Sequence, residues 1–124
     1  MAAPNIVNVS SIIGMTTAVG LSTTDTTTFL SNADASGKVL KINTIIASNI
    51  DGTNSSDVTV KYHFSAAGAG TSFSLAHTIT VPADASLVVI GKDSPIYVEE
   101  NRSLTAEAST SDDIDIICSY EEII

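Results

Sequence analysis

The sequence predicts an all-β protein, a single-domain antiparallel β-sandwich of the jelly-roll type with seven to nine strands. Hydrophobic residues make up 44% of the chain and charged residues only 15%, so Ser, Thr and Asn carry much of the polarity. Thr and Val suit a half-buried pleated sheet. Apolar and polar residues alternate in short segments separated by turn residues, and no helical period appears. The 124 residues fit one domain, 1–124.

Two central strands follow from this alternation. The segment 38–50 predicts a long strand whose buried face carries Leu40, Ile42, Ile46 and Ile50. The turn residues of 51–57 end this strand, and a second strand follows them. In the second strand, apolar residues face the core and polar residues face solvent: Val58, Val60, Tyr62 and Phe64 inward, and Thr59, Lys61 and His63 outward.

The remaining strands complete the predicted sandwich. A glycine-rich reversal at 66–71 predicts a hairpin with the strand after it. The buried positions of that returning strand are predicted at Phe73, Leu75, Ile79 and Val81. The continuous apolar run 87–90 predicts a short central strand covered on both faces. The last strand is predicted to bury Ile114, Ile116, Cys118 and Tyr120.

The N-terminal region is patterned more weakly. Residues 6–9 and the Thr-rich stretch 16–30 predict weaker strands, and residues 1–11 are expected to form an extended arm that reaches a neighbour. The opening residues lack the basic segment and apolar stretch of a signal peptide. No apolar run has the length that spans a bilayer. We therefore expect synthesis in a cytoplasm and no membrane partner.

The charge balance and the cysteine count exclude further classes. The formal net charge is −9, which disfavours phosphate backbones and anionic membranes, so no nucleic-acid partner is expected. Cys118 is the single cysteine and cannot form an intrachain disulfide. Because Cys118 lies on the apolar side of the last strand, it is predicted to pack in the core as a small hydrophobic residue.

The two histidines are weak candidates for catalysis. His63 lies on the polar side of its strand and is predicted to face solvent. His77 lies on the apolar side, between Leu75 and Ile79, and is predicted to be buried or at an interface. A catalytic base needs a nucleophile and an orienting carboxylate, and no nucleophile signature occurs. No catalytic residue and no cofactor is predicted.

Carboxylates are the candidate side chains for metal binding and for glycan hydrolysis. Calcium could bind loop oxygens in 51–57 or at Asp112, Asp113 and Asp115, but neither set has the EF-hand spacing, so no metal is predicted. A small glycan-acting enzyme is the remotest alternative. Its only plausible carboxylates are Glu99, Glu100 and Glu107.

Several segments carry a family resemblance: the opening residues 1–7, then 41–46, 49–53, 81–90, 95–100 and 118–122. In these segments the chain resembles short virion-associated structural proteins of tailed bacteriophages, especially phages of marine bacteria and cyanobacteria. The resemblance covers nearly the whole chain and consists of turn-plus-strand signatures. It implies a virion component and carries no catalytic residues.

The resemblance, together with the size, acidity and β pattern, predicts a non-enzymatic capsid decoration (cement) protein on the virion surface. It would bind the outside of the major capsid protein as a homo-oligomer, a trimer or a dimer, and stabilise the shell. The alternative is a neck or tail adaptor, or a fibre-associated protein. The candidate interface residues are Ile6, Val7, Val9, Asp51, Asn54, Asp57, Gly68 and Gly70.

Overall fold

The computed structural model describes residues 4–124, and their strands form two antiparallel sheets packed face to face. This confirms the predicted all-β sandwich. The nine strands are β1 (Ile12–Gly20), β2 (Thr27–Asn32), β3 (Val39–Asn49), β4 (Ser56–His63), β5 (Ser72–Val81), β6 (Ser86–Ile90), β7 (Ile96–Val98), β8 (Arg102–Ala108) and β9 (Ile114–Ile123).

The strand order is that of a jelly roll. One sheet, called sheet A, has the order β1-β9-β3-β6, with β7 also paired to β3. The other, called sheet B, has the order β2-β8-β4-β5. The chain alternates between the sheets except at the β4–β5 hairpin, which is confirmed as predicted, and between β6 and β7. Each sheet therefore presents four strand positions, as two interlocked Greek keys require.

Strands β6 and β7 occupy one position at the edge of sheet A. Ile90 of β6 lies opposite Ile45, and Ile96 of β7 lies opposite Ile42. The five residues 91–95 thus stand against only two residues of β3, so the edge strand bulges into a loop. The prediction that 87–90 is a central strand covered on both faces is wrong, because β6 lies at the edge of sheet A and Val88 is exposed on the outer face.

The core lies between the sheets and contains residues from both. Cys118 is fully buried there, as predicted, and burial raises the pKa of its thiol to about 12. Burying each large aliphatic side chain contributes about 1.5–3 kcal/mol before entropic costs. The largest fully buried aliphatic side chains are Leu21, Ile42, Ile45, Val58, Val60, Val81, Val98, Leu104, Ile114 and Ile116.

A register shift in β3 reverses the predicted face in its second half. The β3–β9 ladder is interrupted between Ile42 and Thr44. Leu40 and Ile42 point into the core before this irregularity, whereas Ile45 and Ala47 do so after it. The predicted inward positions of Ile46 and Ile50 are therefore wrong, since a bulge moves every later side chain to the other face.

Two further shifts lie between β4 and β5, on either side of Val60. These shifts change which side chains of β5 face the core. His77 is exposed, so the prediction that it is buried is wrong, and its place at an interface stays a prediction. Val81 is buried and Leu75 packs against the core, but Phe73 and Ile79 are largely exposed. Strand β5 is the edge of sheet B, so inward-pointing side chains there reach the rim of the sandwich.

The N-terminal segment 4–11 does not form the strand predicted for 6–9. The side-chain oxygen of Asn5 accepts a hydrogen bond from the amide of Val7 at 3.0 Å, which produces a turn. The amides of Ser10 and Ser11 then bond the carbonyl of Ile124 and lead into β1. Residues 1–3 of the predicted arm lie outside the described part. Across 4–124, no helix is long and apolar enough to cross a membrane.

Candidate interaction surface

An exposed aromatic cluster lies at the rim of the sandwich, where β4 ends and β5 begins. The Phe64 ring meets the Tyr62 ring edge-on at a centroid distance of 5.4 Å and the Phe73 ring at 5.7 Å. The guanidinium carbon of Arg102 lies 4.3 Å from the Phe64 ring centroid. We call Tyr62, Phe64, Phe73 and Arg102 the rim cluster.

Backbone pairing positions the members of the rim cluster. Tyr62 and Phe73 are directly opposite each other in the β4–β5 hairpin, so both side chains leave the same face of sheet B. The Nη1 of Arg102 donates to the carbonyl of Phe64 at 3.2 Å, and its Nη2 lies 3.9 Å from the Glu99 carboxylate. These contacts hold the guanidinium over the ring.

Tyr62 links the rim cluster to sheet A. Its hydroxyl donates to the backbone carbonyl of Tyr97 in β7 at 2.8 Å. Partial burial raises the pKa of this hydroxyl. The bond connects strand β4 of sheet B to the edge of sheet A beside the rim cluster, and so fixes the position of the Tyr62 ring within the cluster.

The rim cluster leaves a large aromatic area in solvent. Phe73 is 62% exposed and Phe64 45% exposed, so the prediction that both rings are buried in the core is wrong. Tyr97 is also largely exposed, while Phe29 and Tyr120 are buried. Aromatic residues and arginine dominate the energetic centres of protein interfaces. The arrangement is therefore suited to docking another macromolecule.

The N-terminal segment lies near the rim cluster, against the outer face of sheet A. Pro4 and Ile6 line a shallow groove of about 280 Å³ together with Val39, Tyr97 and Glu99. Of the predicted interface residues in this segment, Ile6 and Val7 are exposed and Val9 is half-buried. Val7 is 91% exposed. The structure thus places an apolar segment beside the exposed ring of Tyr97.

The glycine-rich loop 65–70 folds back over the outer face of sheet B. The amide of Ala67 donates to Ser31 Oγ at 2.9 Å, and that of Gly68 donates to Ser103 Oγ at 2.8 Å. A Cβ added at Gly68 would meet Thr28 Oγ1 at 2.6 Å, and one at Gly70 would meet Ser65 Oγ at 2.5 Å. Both predicted interface glycines therefore make close intrachain approaches.

This loop also explains why His63 is buried. Its side chain leaves the outer face of sheet B, as the alternation predicts, but only 7% of it is exposed, so the predicted solvent exposure is wrong. His63 Nε2 lies 2.8 Å from Thr105 Oγ1, and His63 Nδ1 has no hydrogen-bond partner among the described residues. The histidine fills space between sheet and loop, and its polar contact is the Thr105 hydroxyl.

Asp51, Asn54 and Asp57 lie at the opposite end of the sandwich. The Asp51 carboxylate accepts the amide of Thr53 at 2.8 Å and the side-chain amide of Asn54 at 3.3 Å, and these bonds lower its pKa. Asp57 Oδ1 accepts the hydroxyl of Thr80 at 2.7 Å. The described residues contain no group of three or more His, Cys, Asp or Glu side chains that could hold a metal ion.

The three glutamates considered for glycan hydrolysis lie in different environments. Glu99 pairs with Arg102 at the rim, and Glu107 lies 3.9 Å from Lys61 on the outer face of sheet B. Glu100 is buried, and its Oε1 has no hydrogen-bond partner among the described residues. A glycosidase needs two carboxylates across one cleft, whereas these three differ in burial and in their ionic partners.

The candidate interface residues are divided between the two ends of the molecule. Gly68, Gly70 and the N-terminal segment lie at the rim-cluster end, and 51–57 lies at the other. The most exposed aromatic side chains, Phe64 and Phe73, were missed. Their position in the sequence could have indicated this exposure. Both residues flank a hairpin loop at the end of the sandwich, where the opposite sheet covers an inward-pointing side chain only in part.

Comparisons with known proteins add no family name. No family model matches the chain, and no curated protein matches it.

Proposed function

We propose that this protein is a non-enzymatic virion component, a capsid decoration protein that docks on the outside of the major capsid shell of a tailed phage. The observation that carries the proposal is the exposed rim cluster, with Phe73 and Phe64 in solvent and Arg102 stacked on Phe64. The resemblance to virion-associated phage proteins supplies the partner, the shell.

The energetics of the rim cluster favour a docking role. An exposed phenyl ring contributes little to folding, whereas burying it against a partner contributes about 1.5–3 kcal/mol. The contact between Arg102 and Phe64 is worth about 0.5–1 kcal/mol in water and about 2 when a partner removes the water. A few such residues suffice as the energetic centre of an interface.

The rest of the molecule supports a stabilising role. Its compact jelly roll supplies a fixed base for the rim cluster, and the hydrogen bond from Tyr62 to Tyr97 joins the two sheets at that site. A ligand that binds the assembled shell but not dissociated subunits stabilises the shell by mass action. Many copies would each add this contribution across capsomer boundaries.

A second candidate function comes from the same rings. A tail- or fibre-associated module that binds host glycans needs exposed aromatic rings, and Phe73 and Tyr97 are exposed. Phe64 is less suited, because Arg102 covers one of its faces. The first candidate is preferred because an aromatic pair with a stacked arginine is typical of protein partners.

Co-sedimentation with empty capsid shells of the encoding phage tests the proposal. Phe73→Ala should weaken shell binding at least about tenfold, equivalent to ~1.4 kcal/mol, with little change in Tm. Val88→Ala is the matched control, because Val88 is also 62% exposed but lies on the outer face of sheet A. Equal binding by the two variants would refute the docking surface. Binding to host glycans instead of shells would support the second candidate.

A further inference from the structure

The four sheet edges of the sandwich are not equally protected against pairing with another chain. Strand β5 has two register shifts, and β2 has six residues with one shift. The β6/β7 edge is broken by the loop 91–95, which contains Lys92 and Pro95. Bulges, short strands, lysine and proline are the features that keep natural sheet edges from pairing.

Strand β1 has none of these features. It runs for nine residues, from Ile12 to Gly20, and its ladder with β9 continues without a register shift. It contains no charged residue and no proline. Ile12, Ile13 and Met15 are all more than 40% exposed. A long, regular, apolar edge with free backbone groups is a ready site for strand addition.

We propose that β1 pairs antiparallel with β1 of a second copy of this chain, about a two-fold axis at Thr16. This inference does not depend on the rim cluster, because β1 and the β6/β7 position are opposite edges of sheet A. The two sheets A would then form one continuous sheet across the dimer. Such a two-fold contact is self-complementary and closed, so it ends at two subunits.

Strand β1 is an edge at which a second copy of this acidic chain meets no opposed charge. Each chain has a formal net charge of −9, so two copies repel each other wherever acidic surfaces meet. No Asp, Glu, Lys, Arg or His precedes Asp25 in the sequence. Pairing about Thr16 sets Ile12 opposite Gly20 and Met15 opposite Thr17, so no like charges are opposed.

The number of backbone hydrogen bonds between two β1 strands is also sufficient for a stable interface. Antiparallel pairing of nine residues forms about nine backbone hydrogen bonds, which is within the ~10 ± 5 of a typical interface. In the proposed register, even-numbered residues of one β1 lie opposite even-numbered residues of the other. Because the even-numbered side chains of β1 are on the outer face of sheet A, the outer faces of the two sheets lie on the same side of the dimer. These faces carry a row of small and apolar side chains across sheet A: Ala18, Ile117, Ile46 and Val88.

Analytical ultracentrifugation of the purified chain tests this inference. We expect a concentration-dependent dimer, and Thr16→Lys should raise its dissociation constant at least about tenfold, because two lysines would face each other across the axis. Thr44→Lys is the control. Thr16, Ser119 and Thr44 lie in one cross-strand row on the outer face, but Thr44 is on an inner strand.

Each outcome decides the inference. Mixing Thr16→Lys with Thr16→Glu should restore dimers to within about threefold of the original dissociation constant, since opposite charges then face each other. A monomeric parent chain, or a Thr16→Lys variant that still dimerises normally, would overturn strand pairing. Equal loss with Thr44→Lys would also overturn it, because it would show that the sheet faces stack instead.

Discussion

The guanidinium carbon of Arg102 lies 4.3 Å from the ring centroid of Phe64, while the same side chain donates a hydrogen bond to the carbonyl of Phe64. Arg102 thus contacts both the ring and the backbone carbonyl of Phe64, directly after the end of β4. The contact fixes an exposed aromatic residue before any partner binds, which lowers the entropic cost of docking.

Replacing Arg102 by Met should therefore destabilise the fold modestly. The variant loses the cation–π contact and the hydrogen bond to Phe64, and we expect a loss of ~1–2 kcal/mol in the free energy of unfolding. Denaturant unfolding measures it. Lys92→Met, at an exposed position in the loop 91–95, is the control and should change stability by less than ~0.5 kcal/mol. Equal effects of the two changes would contradict this role.

Gly68→Ala should destabilise the fold through the loop that covers sheet B. Gly68 has a φ of +72°, and an added Cβ would lie 2.6 Å from Thr28 Oγ1. We expect a loss of ~1–3 kcal/mol, measured as a lower Tm and denaturation midpoint. In Gly91→Ala the nearest contact would be an ordinary 3.7 Å, so it should stay within ~1 kcal/mol of the parent.

Thr105→Val should cost ~1–3 kcal/mol, because it removes the hydroxyl that lies 2.8 Å from His63 Nε2 and leaves a buried ring nitrogen without a partner. The side-chain shape is kept, so the change tests the polar contact alone. Thr44→Val, at a half-buried position on the outer face of sheet A, is the control and should be nearly neutral. Unchanged stability of Thr105→Val would mean that the contact contributes nothing.

Stability should fall at alkaline pH because of Cys118. Burial raises the pKa of its thiol to about 12, so the folded chain keeps a proton that the unfolded chain releases above about pH 9. The thiol's contribution is fully present below the ordinary cysteine pKa and is lost as the pH rises toward about 12. Between about pH 8 and pH 10, the parent should lose ~1.5 kcal/mol more than Cys118→Ala in denaturant unfolding under reducing conditions. Parallel losses in the two proteins would contradict this.

The sequence predicts the architecture well because alternation is a local property. Burial in the last strand alternates from Ile114 to Tyr120, and Ile114, Ile116, Cys118 and Tyr120 are all buried as predicted. In β3 the same reasoning holds up to Ile42 and then fails, because a bulge against β9 changes the face. A bulge depends on the partner strand, which alternation within one strand cannot reveal.

The solvent exposure of a side chain was harder to predict than the face of the sheet from which it points. Side chains of His63 and Phe73 leave the sheet on the predicted faces, yet His63 is buried and Phe73 is exposed. A loop covers the outer face of sheet B above His63, and the edge position of β5 leaves Phe73 at the rim. Both outcomes depend on strand order and loop path, which are tertiary properties. The docking surface was missed for this reason.

The most direct test of a shell decoration role is the copy number per virion, obtained by quantitative mass spectrometry of purified particles against the major capsid protein. We predict a copy number of the same order as that of the major capsid protein. A few copies per particle would contradict shell decoration and indicate the neck or tail. Absence from the particle would contradict a virion role altogether.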